Sequence, residues 1–384
     1  MKKIILYNWL SNISLELVIW MIYLKSIGWS VAEIALLESC YTISQAIFEL
    51  PSGIVSDYLG HKRTLVLGEI CCLVYLTSYF FARIHILMYL SYIIYALGLA
   101  LISGTDVSLL YESLSSEEKT KYLKYSGYFN TAGVFAMAFG NAAGGWLANL
   151  SWITLFVCAM VIRAMALVTI ISIHDPRKNN IIRENDNLFS VIKQLFEFVK
   201  QNKKFRVLAL AMFTASACVT VSYQYGPLIL KQWGMVTGFV STLFGIISLL
   251  GACMTLFVYK LSKKLTENRL VILLLLICFV LFGTLMICNL YLFIFSLVVI
   301  NVMFEMWNVV FENKIQQISS EGIRASLFSS INFCESLLLT LSSLIISLFD
   351  NNLSLNLIIS LIGLVFIGLA LIFFSVYQRS EEKL

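Results

Sequence analysis

Stretches of about 20 consecutive apolar residues recur twelve times along this chain, and no water-soluble core absorbs that many. At a rise of about 1.5 Å per residue, each such stretch matches the hydrocarbon thickness of a bilayer. The spans lie near 4–24, 31–56, 64–82, 86–112, 125–148 and 152–173, then near 205–230, 237–258, 269–288, 290–312, 326–349 and 354–376. Backbone amides in lipid must be bonded within their own segment, so each span is predicted to be a helix. Hydrophobic residues make up 59% of the chain and charged residues 13%. Soluble domains hold about 45–50% and about 25% respectively, so the fold class is all-α integral membrane.

Lysine and arginine set the expected orientation. With the N-terminus in the cytoplasm, only Lys25, Arg83 and Lys231 fall in outward connectors and Arg163 lies inside a span; the other 23 of the 27 face inward. This is the positive-inside asymmetry, and it predicts cytoplasmic termini. The compact chain, with short tails and loops, is expected in a bacterial inner (cytoplasmic) membrane. The net charge of +5 is spread over short connectors, which does not suit nucleic acid. Nine cysteines sit almost entirely in apolar runs, without a C-x-x-C pair, and the three histidines are isolated. Neither a zinc site nor a disulfide framework is expected. The basic start "MKKIILYNWLSNISLELVIW" lacks a small-residue cleavage site and carries Glu16, so it reads as a retained first span.

A polar interval divides the spans six and six. The expected organisation is an N-terminal half at 1–173, a cytoplasmic linker at 174–204 and a C-terminal half at 205–384. Within the linker, Leu188, Val191, Ile192, Leu195, Phe198 and Val199 recur at helical spacing, which predicts an amphipathic surface helix. "SLLYES" at 108–113 and "NVVFEN" at 308–313 close the fourth span of each half with the same pattern. Duplication is a frequent construction in secondary transporters.

Between spans two and three stands "GIVSDYLGHKR" at 53–63. Gly53 is expected to admit a neighbouring helix and Gly60 to supply the sharp turn, while the basic trio can reach carboxylates on nearby helix ends, Glu112 first among them. The stretch resembles the signature loop of the major facilitator superfamily, with Gly53, Asp57, Gly60, Lys62 and Arg63 matching and Tyr58 and His61 departing. The resemblance covers essentially the whole chain and implies the twelve-helix, two-half fold of that family, in which the loop acts as a cytoplasmic latch.

Span five reads "GYFNTAGVFAMAFGNAAGGW". Gly127, Gly140, Gly144 and Gly145 resemble the antiporter motif of drug-exporting members, with Ala136 in place of a Gly and Asn141 in place of a Pro. Small residues on one face permit close helix packing.

Polar stripes mark other spans. Asn8, Asn12, Glu16 and Trp20 share one face of span one, Glu38, Thr42, Gln45 and Glu49 one face of span two, and Asn301, Glu305, Asn308 and Glu312 one face of span ten. Ionisable groups at membrane depth are functional by default. Glu16, then Asp106 and Glu305, are the expected sites of protonation or cation binding, with Glu335 a further acid inside span eleven. Arg163 needs a carboxylate partner, with Asp106 and Glu16 as possibilities, or else holds an anionic substrate. Tyr223, Gln224 and Tyr225 offer hydrogen bonds and ring faces in span seven, where Gly226-Pro227 can kink the outer end.

These features predict a secondary active transporter, not an enzyme, since no nucleophile, base or metal ligands converge at one depth. No G-x-x-x-x-G-K-[ST] loop occurs, so neither ATP nor any cofactor or metal is called for. Export of small amphipathic, cationic compounds by proton antiport is the leading expectation, with drug or antibiotic efflux implied by resemblance. Uptake of a nutrient or metabolite by an ion-coupled symporter is the alternative. The expected partners are the substrate, protons and the bilayer, with the protein a monomer.

Overall fold

The computed structural model describes residues 2–114, 121–174, 197–319 and 324–381. Its helices run α1 (Lys2–Ser11), α2 (Trp20–Ser26), α3 (Val31–Leu59), α4 (His61–Ser78), α5 (His85–Ile102), α6 (Thr105–Glu112), α7 (Tyr122–Leu150) and α8 (Trp152–Ile171). They continue as α9 (Lys203–Gln232), α10 (Thr237–Lys264), α11 (Glu267–Thr284), α12 (Leu290–Ile318), α13 (Arg324–Phe349) and α14 (Leu355–Glu381). Among the described residues, ten helical segments are long and apolar enough to cross a bilayer. The two expected spans outside that count are the first, which is interrupted, and the fifth, α7, whose 29 residues are diluted by glycine, asparagine and serine. Most of the expected linker helix lies outside the described residues; residues 197–201 are helical.

Two spans break where one continuous helix was expected. Span one leaves helical geometry between Ser11 and Trp20. The segment there, Asn12-Ile13-Ser14-Leu15-Glu16, offers amide and hydroxyl groups that compete for backbone bonds. Asn12 Nδ2 donates to the Asn8 carbonyl at 2.8 Å, four residues back. Span four breaks at Ser103-Gly104, where Gly104 adopts φ +74°, a conformation that favours glycine. By contrast, α9 runs through Pro227 to Gln232 without ending.

The chain forms two compact units, Met1–Ile182 with Leu230–Leu249, and Arg183–Ile229 with Leu250–Leu384. In the first, α8 shows how lipid-facing and protein-facing stripes divide. Leu155, Ala159, Arg163, Ala166 and Ile170 are buried, while Ile153, Val157, Val161, Val168 and Ile171 are exposed. Lipid is as apolar as a leucine side chain, so packing fit and hydrogen bonds rather than water exclusion hold such helices together. The buried stripe joins Ile4, Tyr7 and Leu10 of α1, Leu65 of α4, Leu109 and Leu110 of α6 and Phe129 of α7 in one cluster. That cluster fixes α1 beside α4 and α8. In the second unit, Asn356 donates to the Leu285 carbonyl at 3.2 Å and Phe311 meets Phe374 edge-on at 5.4 Å, tying α14 to α11 and α12.

Candidate functional site

The densest polar cluster of the first unit surrounds Arg163. Its Nη1 lies 3.2 Å from Glu69 Oε2 and 3.2 Å from Ser11 Oγ, and Nη2 lies 3.5 Å from Ser14 Oγ. Glu69 Oε1 accepts from Tyr7 at 3.0 Å and from Ser11 at 2.7 Å. Arg163 is 5% exposed and Glu69 fully buried. Charges withdrawn from water survive only when paired and hydrogen-bonded, and both conditions are met. The sequence left the partner of Arg163 open, with Asp106 and Glu16 as possibilities; the structure gives Glu69. Glu69 sits in "LGEICC" in mid-span three, so the rule that draws attention to intramembrane acids applies to it as well.

Beside this pair lies a cavity of about 210 Å³ reached by Asn8, Ser11, Asn12, Ser14, Asp106 and Arg163. A second, of about 320 Å³, shares Asn8, Asn12 and Asp106 with it. Asn8 is itself anchored, donating to the Phe129 carbonyl at 2.7 Å. Asp106 stands in the first turn of α6 just after the Gly104 break, and its Oδ1 accepts from the Val107 amide at 2.8 Å. The break in span four thus puts the carboxylate at a helix N-terminus, the positive end of the helix dipole.

Glu16 lies in the interrupted stretch of span one. It is 2% exposed, and its Oε2 has no hydrogen-bond partner. Trp20, at the start of α2, is buried with its ring 5.3 Å from that of Tyr92. The irregular backbone is seated on the small-residue face of α7. A Cβ on Gly140 would stand 3.0 Å from the Ser14 nitrogen, and one on Gly144 would overlap the Leu15 carbonyl. Gly145 donates to Ser241 at 2.8 Å, and Asn141 donates to Ser248 at 3.2 Å. Gly127 departs from this pattern: no atom lies within 4 Å of a Cβ built there.

At the 53–63 turn, Gly60 adopts φ +92° and ends α3, as its place in the turn requires. His61 Nδ1 lies 2.8 Å from Glu112 Oε2, which ties α4 to the end of α6. The expected carboxylate is therefore engaged, by the histidine rather than by Lys62 or Arg63; Arg63 is exposed and Lys62 half-buried. Gly53 differs from the sequence expectation: among the described residues, no atom of a neighbouring helix lies within 4 Å of a Cβ built on it. The Asp57 side chain lies outside the described residues.

The remaining residues belong to the second unit. Glu305 of α12 is half-buried against Gly251, where an added Cβ would come within 2.7 Å of its Cγ. Asn301 turns to its own helix, donating to the Leu297 carbonyl at 2.7 Å, and Asn308 donates to Glu312 at 3.0 Å. Glu335 accepts from Thr220 at 3.2 Å, linking α13 to α9, the helix that carries Tyr223.

Residues 4–343 match the profile of the Major Facilitator Superfamily. The chain belongs to that superfamily. Among its relatives is the MFS-type transporter YxaM of Bacillus subtilis, 24% identical over 65% of this chain and 63% of that protein. The quinolone resistance protein NorA of Staphylococcus aureus is 28% identical over 41% of this chain and 40% of its own length. Both alignments span less than two thirds of the relative. The crystal structure of a point mutant of the nucleoside transporter NupG superposes with a TM-score of 0.81 over 98% of each chain at 14% identity, which shows the shared fold. The protein is accordingly a multi-pass membrane protein of the major facilitator fold.

Proposed function

We propose that this transporter exports small amphipathic, cationic compounds in exchange for protons, by alternating access of its two six-helix halves. The observation that carries the reading is the charge balance of the cavity in the first unit. Arg163 is neutralised by Glu69, so Asp106 is the uncompensated charge among the residues lining that space. A net negative, partly apolar cavity suits an amine-bearing amphiphile, with Asn8 and Asn12 completing its hydrogen bonds. Glu16, in contrast, is sealed from solvent with a free carboxyl oxygen, an arrangement fitted to holding a proton rather than a bulky ligand. Glu305 and Glu335 are assigned supporting roles in the second half, and the His61–Glu112 contact with the 53–63 turn is assigned the latch. The similarity to NorA, a quinolone resistance protein, favours the outward direction.

Uptake is the second reading, and Asn141 is the residue that favours it. In the drug-exporter motif that position is a proline, whereas here it is an asparagine bonded to Ser248. Equilibrium binding of a lipophilic cation and of an anionic analogue to the purified protein tests the substrate class. Asp106→Asn is expected to weaken the cation about tenfold, or about 1.4 kcal/mol, and to leave the anion unchanged. Binding of the anion to the parent, with Asp106→Asn silent, would overturn the cationic assignment.

A further inference from the structure

The two cavities of the first unit share one stretch of wall, formed by Asn8, Asn12, Asp106 and Met137. Hydrogen bonds fix which atoms that wall can offer a ligand. Asn8 Nδ2 donates to the Phe129 carbonyl at 2.7 Å. A carbonyl only accepts, so the Asn8 amide cannot be turned around, and its oxygen faces Asn12. Asn12 Nδ2 donates to that oxygen, Asn8 Oδ1, at 2.9 Å and to the Asn8 backbone carbonyl at 2.8 Å, which spends both of its hydrogens. The Asn12 amide is therefore fixed as well, with its oxygen left over.

Asn12 Oδ1 carries no bond among the described residues, and it is not one of the sealed polar atoms. The Asp106 carboxylate is in a similar position. Its Oδ1 accepts from the Val107 amide at 2.8 Å, and its Oδ2 carries no bond among the described residues. Gly133 of α7 makes room for the asparagine pair: a Cβ there would stand 3.3 Å from Asn8 Nδ2 and 3.5 Å from Asn12 Nδ2. Beyond the shared wall, Tyr7 and Ser11 spend their hydroxyl hydrogens on Glu69 at 3.0 and 2.7 Å. The shared wall thus presents two acceptors, one neutral and one charged, and both lack a donor.

We infer that the substrate is a protonated primary or secondary amine whose N–H groups are read by Asn12 Oδ1 and the Asp106 carboxylate, with Asn8 the positioning residue of Asn12. This inference rests on the cationic-substrate reading above and narrows it. A primary or secondary ammonium carries at least two N–H bonds and satisfies both acceptors. A protonated tertiary amine carries one such bond and a quaternary ammonium none. A ligand that lacks the N–H leaves an acceptor stripped of water and unpaired, and a site built to bond a group rejects the analogue without it. Charge alone does not order these amines, because each carries one positive charge. Apolar burial orders them the opposite way, since every added methyl brings more apolar surface.

The test is calorimetric titration of the purified full chain with phenethylamine and its N-methyl, N,N-dimethyl and N,N,N-trimethyl derivatives, at about pH 7, where alkylamines, like lysine, are charged. Affinity is expected to fall along the series, with the primary amine bound at least about tenfold more tightly than the quaternary, or about 1.4 kcal/mol. Asn12→Ala is expected to weaken the primary amine about tenfold and to leave the quaternary unchanged, whereas lost packing would weaken both alike. Asn8→Ala, which frees the Asn12 amide to turn, is expected to flatten the order in the same way. A parent affinity that is level or rises with methylation overturns the inference, as does an Asn12→Ala protein that binds all four amines equally less well. Asp106→Asn on the same series separates the two readings. If it weakens every amine while the parent order is level, the N–H inference alone is removed. If no amine binds, or all four are indifferent to Asp106→Asn, the cationic reading falls and this inference with it.

Discussion

Replacing Glu69 by Gln removes one charge from the most deeply buried ion pair described in this protein while keeping nearly the same shape. The glutamine oxygen still accepts from Tyr7 and Ser11, whose bonds to Glu69 Oε1 are 3.0 and 2.7 Å. What is lost is the counter-charge 3.2 Å from Arg163 Nη1, and the new amide turns a donor toward a donor. Removing one partner of a buried pair costs about 3–5 kcal/mol, because the other charge stays buried and uncompensated. Spread over a unit of about 200 residues, at about 2–4 °C per kcal/mol, this is a fall in melting temperature on the order of 10 °C. Differential scanning fluorimetry in detergent measures it. Adding Arg163→Gln is expected to recover more than about half of the loss, since two neutral amides leave no stranded charge, and the double-mutant cycle isolates the pair. A Glu69→Gln protein that melts within about 1 °C of the parent, or a double variant whose loss is the sum of the singles, would refute the reasoning that Glu69 compensates the Arg163 charge.

Other substitutions follow from the same structure. Gly144→Ala would drive a Cβ into the Leu15 carbonyl, with an expected cost of about 1–3 kcal/mol. Gly127→Ala meets open space within a helix and is expected to stabilise by up to about 1 kcal/mol; thermal unfolding of the two side by side checks both signs. Glu112→Ala removes the contact with His61, whose glutamate side is 32% exposed. It is expected to change overall stability by less than about 1 kcal/mol, yet to quicken amide exchange across 53–63, as read by hydrogen-exchange mass spectrometry.

The spans were legible because a bilayer imposes its thickness on the sequence directly: α3, α9, α12 and α14 stand where their apolar runs placed them. The Gly60 turn was legible for a local reason, the need for a positive φ between two helices. The break in span one was not. Its segment contains neither glycine nor proline, and the irregular backbone is accommodated by Gly140 and Gly144, more than 120 residues away in the chain. The partner of Arg163 was hidden for the same reason, because Glu69 is 94 residues distant and meets it only once α4 and α8 are packed. The bonded hydroxyls of Tyr75, Tyr79 and Tyr92 form a chain that draws on α4, the turn after it and α5. Aromatic residues in lipid-spanning helices read first as packing or interfacial anchors, so the chain becomes visible only when the oxygen atoms have positions.

The central claim is that protons and a cationic substrate move in opposite directions through this protein. The measurement that tests it most directly is uptake of a lipophilic cation into proteoliposomes of known protein orientation, under an imposed pH gradient of either sign. Substrate movement opposite to the proton gradient, reversed when the gradient is reversed and abolished in Glu16→Gln, is the predicted result. Movement of substrate and protons in the same direction, or gradient-driven transport that survives in Glu16→Gln, would contradict the account.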